Sequence, residues 1–194
     1  MSTYAVLLRG INVGGKNPVP MAALKSCLED DDFGGGGFGD GGFEDVATYI
    51  QSGNALLRSG LDAREVESRI ERLLPTRFSL HSEVVRVLAI EHAAYRRIVA
   101  GAPAGFGDDP ATYRYNTVFL MGVGAGEALE QITAREGVDA VWPGDGVLYF
   151  RNTVADASKS HLSRITQKPV YASLTIRNWN TTTKLLALLD ERKG

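Results

Sequence analysis

Val46-Ala-Thr-Tyr-Ile-Gln-Ser-Gly-Asn-Ala-Leu-Leu-Arg58 decides the fold. Val46–Ile50 and Ala55–Arg58 read as two short strands, and Gln51-Ser52-Gly53-Asn54 between them carries turn chemistry. So short a connection makes a hairpin. What flanks the hairpin fixes its setting. On the N-terminal side, Tyr4–Arg9 reads as a buried strand. Met21–Glu29 follows as a helix with Ala22, Ala23, Leu24, Cys27 and Leu28 apolar. On the C-terminal side, Ala63–Leu74 places Val66, Ile70, Leu73 and Leu74 at the spacing of an amphipathic helix. Glu83–Ile90 then reads as a strand. The order β-α-β-β-α-β is that of the ferredoxin-like split β-α-β motif.

The second half repeats this order. Glu91–Ala100 is a linking helix, Tyr115–Met121 a strand and Glu127–Glu136 a helix. Val138–Trp142 and Val147–Arg151 flank a second hairpin turn, Pro143-Gly144-Asp145-Gly146. Ser158–Thr166 reads as a helix and Ala172–Ile176 as a strand. Asn178 or Asn180 can cap a final helix, Thr182–Arg192. The expectation is an α+β chain of two tandem ferredoxin-like units with antiparallel or mixed sheets and a C-terminal helix. One unit spans 1–90 and the other 91–194. The two halves match in element order.

Composition bounds the function. With 194 residues, 44% hydrophobic and 23% charged, the chain has a globular balance. Its net charge of −2 gives no support for a generic nucleic-acid binder. Cys27 is the sole cysteine, so no internal disulfide can form, and it reads as a small buried hydrophobe. No apolar run reaches membrane-spanning length, and the N-terminus lacks a signal-peptide pattern. A cytoplasmic, soluble protein is expected, and without coiled-coil heptads a monomer is the default. Phe33–Gly42 is mostly glycine and reads as a flexible surface insertion.

Polar chemistry concentrates in a few places. Arg9-Gly10-Ile11-Asn12-Val13-Gly14-Gly15-Lys16-Asn17 joins the first strand to the first helix. Glycines allow close backbone approach, a helix N-terminus offers free N–H groups, and Arg9 and Lys16 add charge, a combination suited to an anion. Gly10–Lys16 fits the Walker A spacing. Asn17 stands where Mg²⁺ needs Ser or Thr, and Pro18 and Pro20 keep the helix from starting at the lysine. Topology brings Arg9–Lys16 and Gln51–Asn54 to one end of a sheet. Pro143–Gly146 and Arg177–Asn180 share an end of the other. Arg177 can clamp a carboxylate or phosphate, and Trp179 can stack on a ring. Lys159 is a third candidate cation, though a solvated lysine is the commoner reading. His81, His92 and His161 are scattered without zinc spacing. Ser52 has no base placed beside it to make it a nucleophile. Asp30-Asp31-Asp32 reads as a solvated helix end. The sequence names no catalytic group, cofactor or metal.

These motifs together resemble one family. Tyr4–Asn17, Val19-Pro-Met21, Thr48-Tyr-Ile-Gln-Ser-Gly-Asn54 and Arg177-Asn-Trp-Asn-Thr181 with Lys184-Leu185 are similar to the bacterial domain-of-unknown-function 1697 family. The resemblance spans almost the whole chain. It implies a soluble α+β protein built from two ferredoxin-like halves. It carries no settled activity. The family's signature falls here on Arg9, Gly10, Asn12, Gly14, Gly15, Lys16, Gln51, Ser52, Gly53, Asn54, Arg177, Asn178, Trp179 and Asn180, with Lys159 matching less securely. Phe33–Gly42 departs from the family, whose members pass to the next strand by a shorter turn.

The leading functional expectation is binding, with or without turnover, of a small anionic, phosphate- or nucleotide-like ligand at the glycine-rich loop. Arg9 and Lys16 would supply charge, and Asn12, Gln51 and Asn54 amide hydrogen bonds. Arg177, Asn178 and Trp179 join if the halves share a site. The alternatives are an RNA- or single-strand-binding module, or a structural and interaction domain whose glycines only shape turns.

Overall fold

The computed structural model describes residues 1–30, 42–80 and 85–192. The Phe33–Gly42 insertion (all but its last residue), Asp31, Asp32 and His81 lie outside the described residues. The chain is mixed α+β with two four-stranded antiparallel sheets. It divides into two compact units, Met1–Tyr95 with the residues from Ala187 onward, and Arg96–Leu186.

In the first unit the elements run β1 (Ser2–Arg9), α1 (Met21–Glu29), β2 (Glu44–Tyr49), β3 (Asn54–Ser59), α2 (Ala63–Arg77) and β4 (Arg86–Glu91). The strand order is β2-β3-β1-β4. β1 is buried from Tyr4 to Leu8, as its apolar run requires. Tyr4, Val6 and Leu8 share a core with Leu24 and Leu28 of α1 and Val66, Ile70, Leu73 and Leu74 of α2. α2 starts at a capping box: Asp62 Oδ1 accepts from the Glu65 N–H, and Glu65 Oε2 accepts from the Asp62 N–H, both at 2.9 Å. Its carboxylates also close the sheet. The Val87 N–H donates to Glu71 Oε1 at 2.8 Å and the Ala89 N–H to Glu67 Oε1 at 3.0 Å. These are outward N–H groups of the edge strand β4, which would otherwise be open to another chain. Burial holds the Glu67 carboxyl above its ordinary value, against the Ala89 N–H. His92 Nε2 meets Asp190 Oδ1 at 2.6 Å, and Arg192 pairs with Asp45 at 3.0 Å.

α3 (His92–Ala100) leads into β5 (Tyr113–Leu120), α4 (Ala125–Gln131), β6 (Asp139–Pro143) and β7 (Val147–Thr153). Three 3-10 segments, Ala157–Lys159, His161–Gln167 and Pro169–Ser173, precede β8 (Leu174–Asn178) and α5 (Trp179–Asp190). The strand order is β6-β7-β5-β8. Val118, Leu120, Leu148, Phe150 and Leu174 form the core with Ala128, Ile132, Ile165 and Val170.

Two expected helices of this unit differ. The one expected over Glu127–Glu136 ends at Gln131. Asp139 Oδ2 takes the Arg135 N–H at 3.0 Å, and the Asp139 N–H bonds the Arg135 carbonyl, so the chain turns there instead. The one expected over Ser158–Thr166 is 3-10. Hydroxyls compete for its backbone: Ser160 Oγ accepts from the Leu162 N–H, while Ser163 and Thr166 donate to the carbonyls three residues back. The final helix is capped by Asn178, whose Oδ1 accepts from the Thr181 N–H at 2.7 Å. Among the described residues no helix is long and apolar enough to cross a membrane.

Candidate functional site

The glycine-rich loop is a small hairpin that closes on itself. Val13 and Lys16 bridge across Gly14 and Gly15, both at positive φ (58° and 74°), the backbone that a primed two-residue turn demands. Asn12 Nδ2 donates to the carbonyls of Val19 (2.9 Å) and Gln51 (3.0 Å), and its Oδ1 accepts from the Val19 N–H. Asn17 Nδ2 donates to the Gly10 carbonyl. Asn54 Nδ2 donates to the Tyr49 carbonyl and to Ser52 Oγ. The Arg9–Lys16 and Gln51–Asn54 segments therefore touch, through the Asn12 amide. Asn12, Asn17 and Asn54 hold the loop rather than face outward. Lys16, Gly14, Gly15, Gln51 and Ser52 are exposed. α1 begins at Met21, beyond Pro18-Val19-Pro20, so its N-terminus does not abut Lys16.

The second unit carries a cleft of about 540 Å³. Alternation along β5 explains its polarity. Val118 and Leu120 face the core, and Arg114 and Asn116 continue the same face past its end. Register brings Asn152 beside Arg114 and Asn178 beside Asn116. Ala157, Ser160, Leu162 and Ser163 of the 3-10 connection form the facing wall, and Trp179 and Asn180 at the start of α5, with Gly107, Pro110, Tyr113 and Tyr115, complete the lining. Arg114 is the one charged residue of the lining, and among the described residues no carboxylate pairs with it. Nor do the side-chain amides of Asn116 and Asn180 find a hydrogen-bond partner among those residues, whereas Asn152 Nδ2 donates to the Thr153 carbonyl.

Aromatic packing fixes the Trp179 wall. Phe106 sits edge-on to Trp179 (5.1 Å between centroids), Tyr115 (4.9 Å), Tyr149 (5.5 Å) and Trp142 (6.1 Å). Gly107 is at φ 101°, and a Cβ there would fall 2.5 Å from the Trp179 indole. On the same face of the sheet Arg151 lies over the Tyr113 ring at 4.1 Å and the Trp142 ring at 5.4 Å. The Tyr149 hydroxyl donates to the Ile98 carbonyl. Burial, with Asp145 nearby, pushes the Tyr149 phenol up.

The sequence candidates thus fall in separate places. Arg9, Gly10, Asn12, Gly14, Gly15, Lys16, Gln51, Ser52 and Asn54 gather at one end of the first sheet. Asn178 and Trp179 line the second-unit cleft, at the opposite end of the sheet from Pro143–Gly146. β8 runs antiparallel to β5 and ends beside Asn116, whereas the hairpin turn adjoins Phe119, so the expected shared end does not hold. Arg177 is 6% exposed, on the face of β8 opposite Asn178 and outside the cleft lining, donating to Thr175 Oγ1 (2.8 Å) and the Ile176 carbonyl (2.9 Å). Lys159 is exposed and paired with Asp156 at 2.6 Å, between the lining residues Ala157 and Ser160. Sequence reasoning missed Arg114, Asn116 and Asn152. Their signal was polar residues at core-facing positions of strands.

The family model described as "Protein of unknown function (DUF1697)" matches residues 1–149. Among solved structures, the chain is similar to conserved bacterial protein SP0830 from Streptococcus pneumoniae. That similarity has a TM-score of 0.72 and 25% identity, over 97% of this chain and 98% of that one. No curated protein matches the chain.

Proposed function

We propose, starting from the fact that this chain belongs to the DUF1697 family of proteins of unknown function, that the second-unit cleft binds a small anionic ligand bearing a flat ring, of the nucleotide kind. The observation that carries this reading is the pair of side-chain amides, Asn116 and Asn180, beside Arg114, all three without a side-chain partner among the described residues. Amides donate and accept, as base edges and sugar hydroxyls require. A guanidinium suits a phosphate or carboxylate. Trp179 offers an indole to a ring. Among the described residues the lining has no carboxylate or histidine, which supports binding over turnover. The shared strand order supports reading each unit as ferredoxin-like, with the division near residue 90.

A thermal-shift screen against nucleotides, sugar phosphates and inorganic phosphate tests this. A ligand at about 100 times its Kd adds roughly 2.7 kcal/mol. Arg114→Ala and Asn116→Ala should abolish the shift and Lys16→Ala preserve it. The opposite pattern returns the site to the glycine-rich loop, where Lys16 and Gln51 are exposed. No shift with any compound ends the small-ligand reading.

Binding of single-stranded nucleic acid draws on the aromatic sheet face of the second unit. Arg151 already lies over its Tyr113 and Trp142 rings, so the cleft reading is preferred. Retention of RNA on a filter at low salt, lost in Trp142→Ala, would reverse that preference.

A further inference from the structure

We propose that a second pocket of the same unit binds a single phosphate group. This hollow of about 90 Å³ lies between the end of α4 and the His161–Gln167 segment. It does not depend on the cleft reading, because the two pockets share no lining residue.

The 3-10 geometry builds it. In a 3-10 helix side chains three residues apart eclipse one another, and Arg164 Nη1 stands 3.4 Å from His161 Nε2. Lys168 follows at the end of the segment and joins the lining. Arg164 and Lys168 are cations with no carboxylate partner among the described residues, although carboxylates outnumber cations in the chain, 23 to 21.

Two further polar groups can donate. Arg164 only donates, so His161 Nε2 accepts from it and the Nδ1–H gives to Thr133 Oγ1, 3.3 Å away, which leaves the Thr133 hydroxyl proton to give. Gln131 uses its Oε1 to accept the Val170 N–H at 3.0 Å, which leaves its amide N–H groups to give. Ile132 and Ile165, each 2% exposed, complete the lining. Asp139 takes the His161 main-chain N–H at 2.8 Å and is not part of the lining. Among the described residues this hollow has two cations without a carboxylate partner, a hydroxyl and an amide that can donate, and no acid in its lining, a set that matches a tetrahedral oxyanion.

The His161 imidazole resonances of the full chain, followed by NMR at fixed pH and ionic strength, read occupancy. Inorganic phosphate and glycerol 3-phosphate are titrated separately, with sodium chloride as control. Saturable shifts with either phosphate and none with chloride are expected, and the tighter arm shows whether a free ion or a monoester is the better fit. Arg164→Ala with Lys168→Ala should weaken binding about tenfold or more, two charge-assisted contacts being lost. Arg114→Ala should leave it unchanged. Shifts that fail to saturate, that chloride reproduces, or that survive the double substitution overturn the proposal. Phosphate binding lost in Arg114→Ala alone assigns the ion to the cleft and overturns it too.

Discussion

The Leu8 N–H donates to the Gly53 carbonyl, and the Leu120 N–H donates to the Gly146 carbonyl. From that shared anchor the two sheets can be laid over one another residue by residue. Val6 corresponds to Val118, Tyr4 to Asn116 and Ser2 to Arg114. Leu57 corresponds to Phe150, Ser59 to Asn152 and Glu91 to Asn178. Toward the hairpin both sheets are apolar. At the other end the units part. In the first, Tyr4 fills the space and its hydroxyl donates to the Leu61 carbonyl, while Ser2 bonds Glu91. A capped α-helix of 15 residues covers that sheet. In the second, short amides and an arginine stand at the equivalent positions under 3-10 turns, and a cleft remains. One strand order supports a closed core or an open cleft, depending on a few side chains and on the helix type of one crossover.

Exchanging residues across the comparison is its severest test. Tyr4→Asn should cost about 4 kcal/mol in denaturant unfolding, since it empties an aromatic-sized space. Asn116→Tyr should leave the fold intact and abolish the ligand-induced thermal shift. If both exchanges are neutral, the correspondence of the two sheet ends has no energetic meaning. Next in size is the covering element. Ile70→Ala, on the buried face of α2, should cost about 3 kcal/mol. Leu162→Ala, on the half-buried 3-10 wall, should cost about 1 kcal/mol or less, as a part-exposed site loses less on truncation. Equal losses would mean the wall is as tightly packed as the helix. Asp62→Ala removes the cap of α2 and should cost about 1 kcal/mol, visible as a lower midpoint at unchanged slope.

The smallest effect concerns the edge of the first sheet. The folded Glu67 carboxyl holds its proton more tightly than the unfolded one, whose ordinary value is 4.5. Its contribution to stability is therefore full below that value and lost as pH rises through the raised folded one. The difference in stability between wild type and Glu67→Gln, measured from about pH 4 to 7, should fall along that window. A flat difference would show that the edge contact is insensitive to charge.

The first unit was largely legible because its signals are periodic. The apolar run Tyr4–Leu8, the Val66–Leu74 stripe and the Gln51–Asn54 turn each announce an element. The correspondence of the units is also written in the sequence: Tyr4-Ala-Val-Leu-Leu-Arg-Gly10 runs parallel to Asn116-Thr-Val-Phe-Leu-Met-Gly122. The cleft was not legible. Arg114 and Asn116 look like ordinary outward strand residues until register sets them beside Asn152 and Asn178, and register is a long-range property. The Ser158–Thr166 stretch misled because hydroxyl competition for the backbone is invisible to a hydrophobic period. Gly14 and Gly15 with their flanking asparagines look the same whether a loop cradles an anion or bonds to itself.

Both tryptophans of the chain, Trp142 and Trp179, belong to the second unit. Intrinsic indole emission thus originates in the second unit. Circular dichroism senses both halves. Overlaid unfolding curves from the two signals would mark a single cooperative transition, and separated midpoints would mark two.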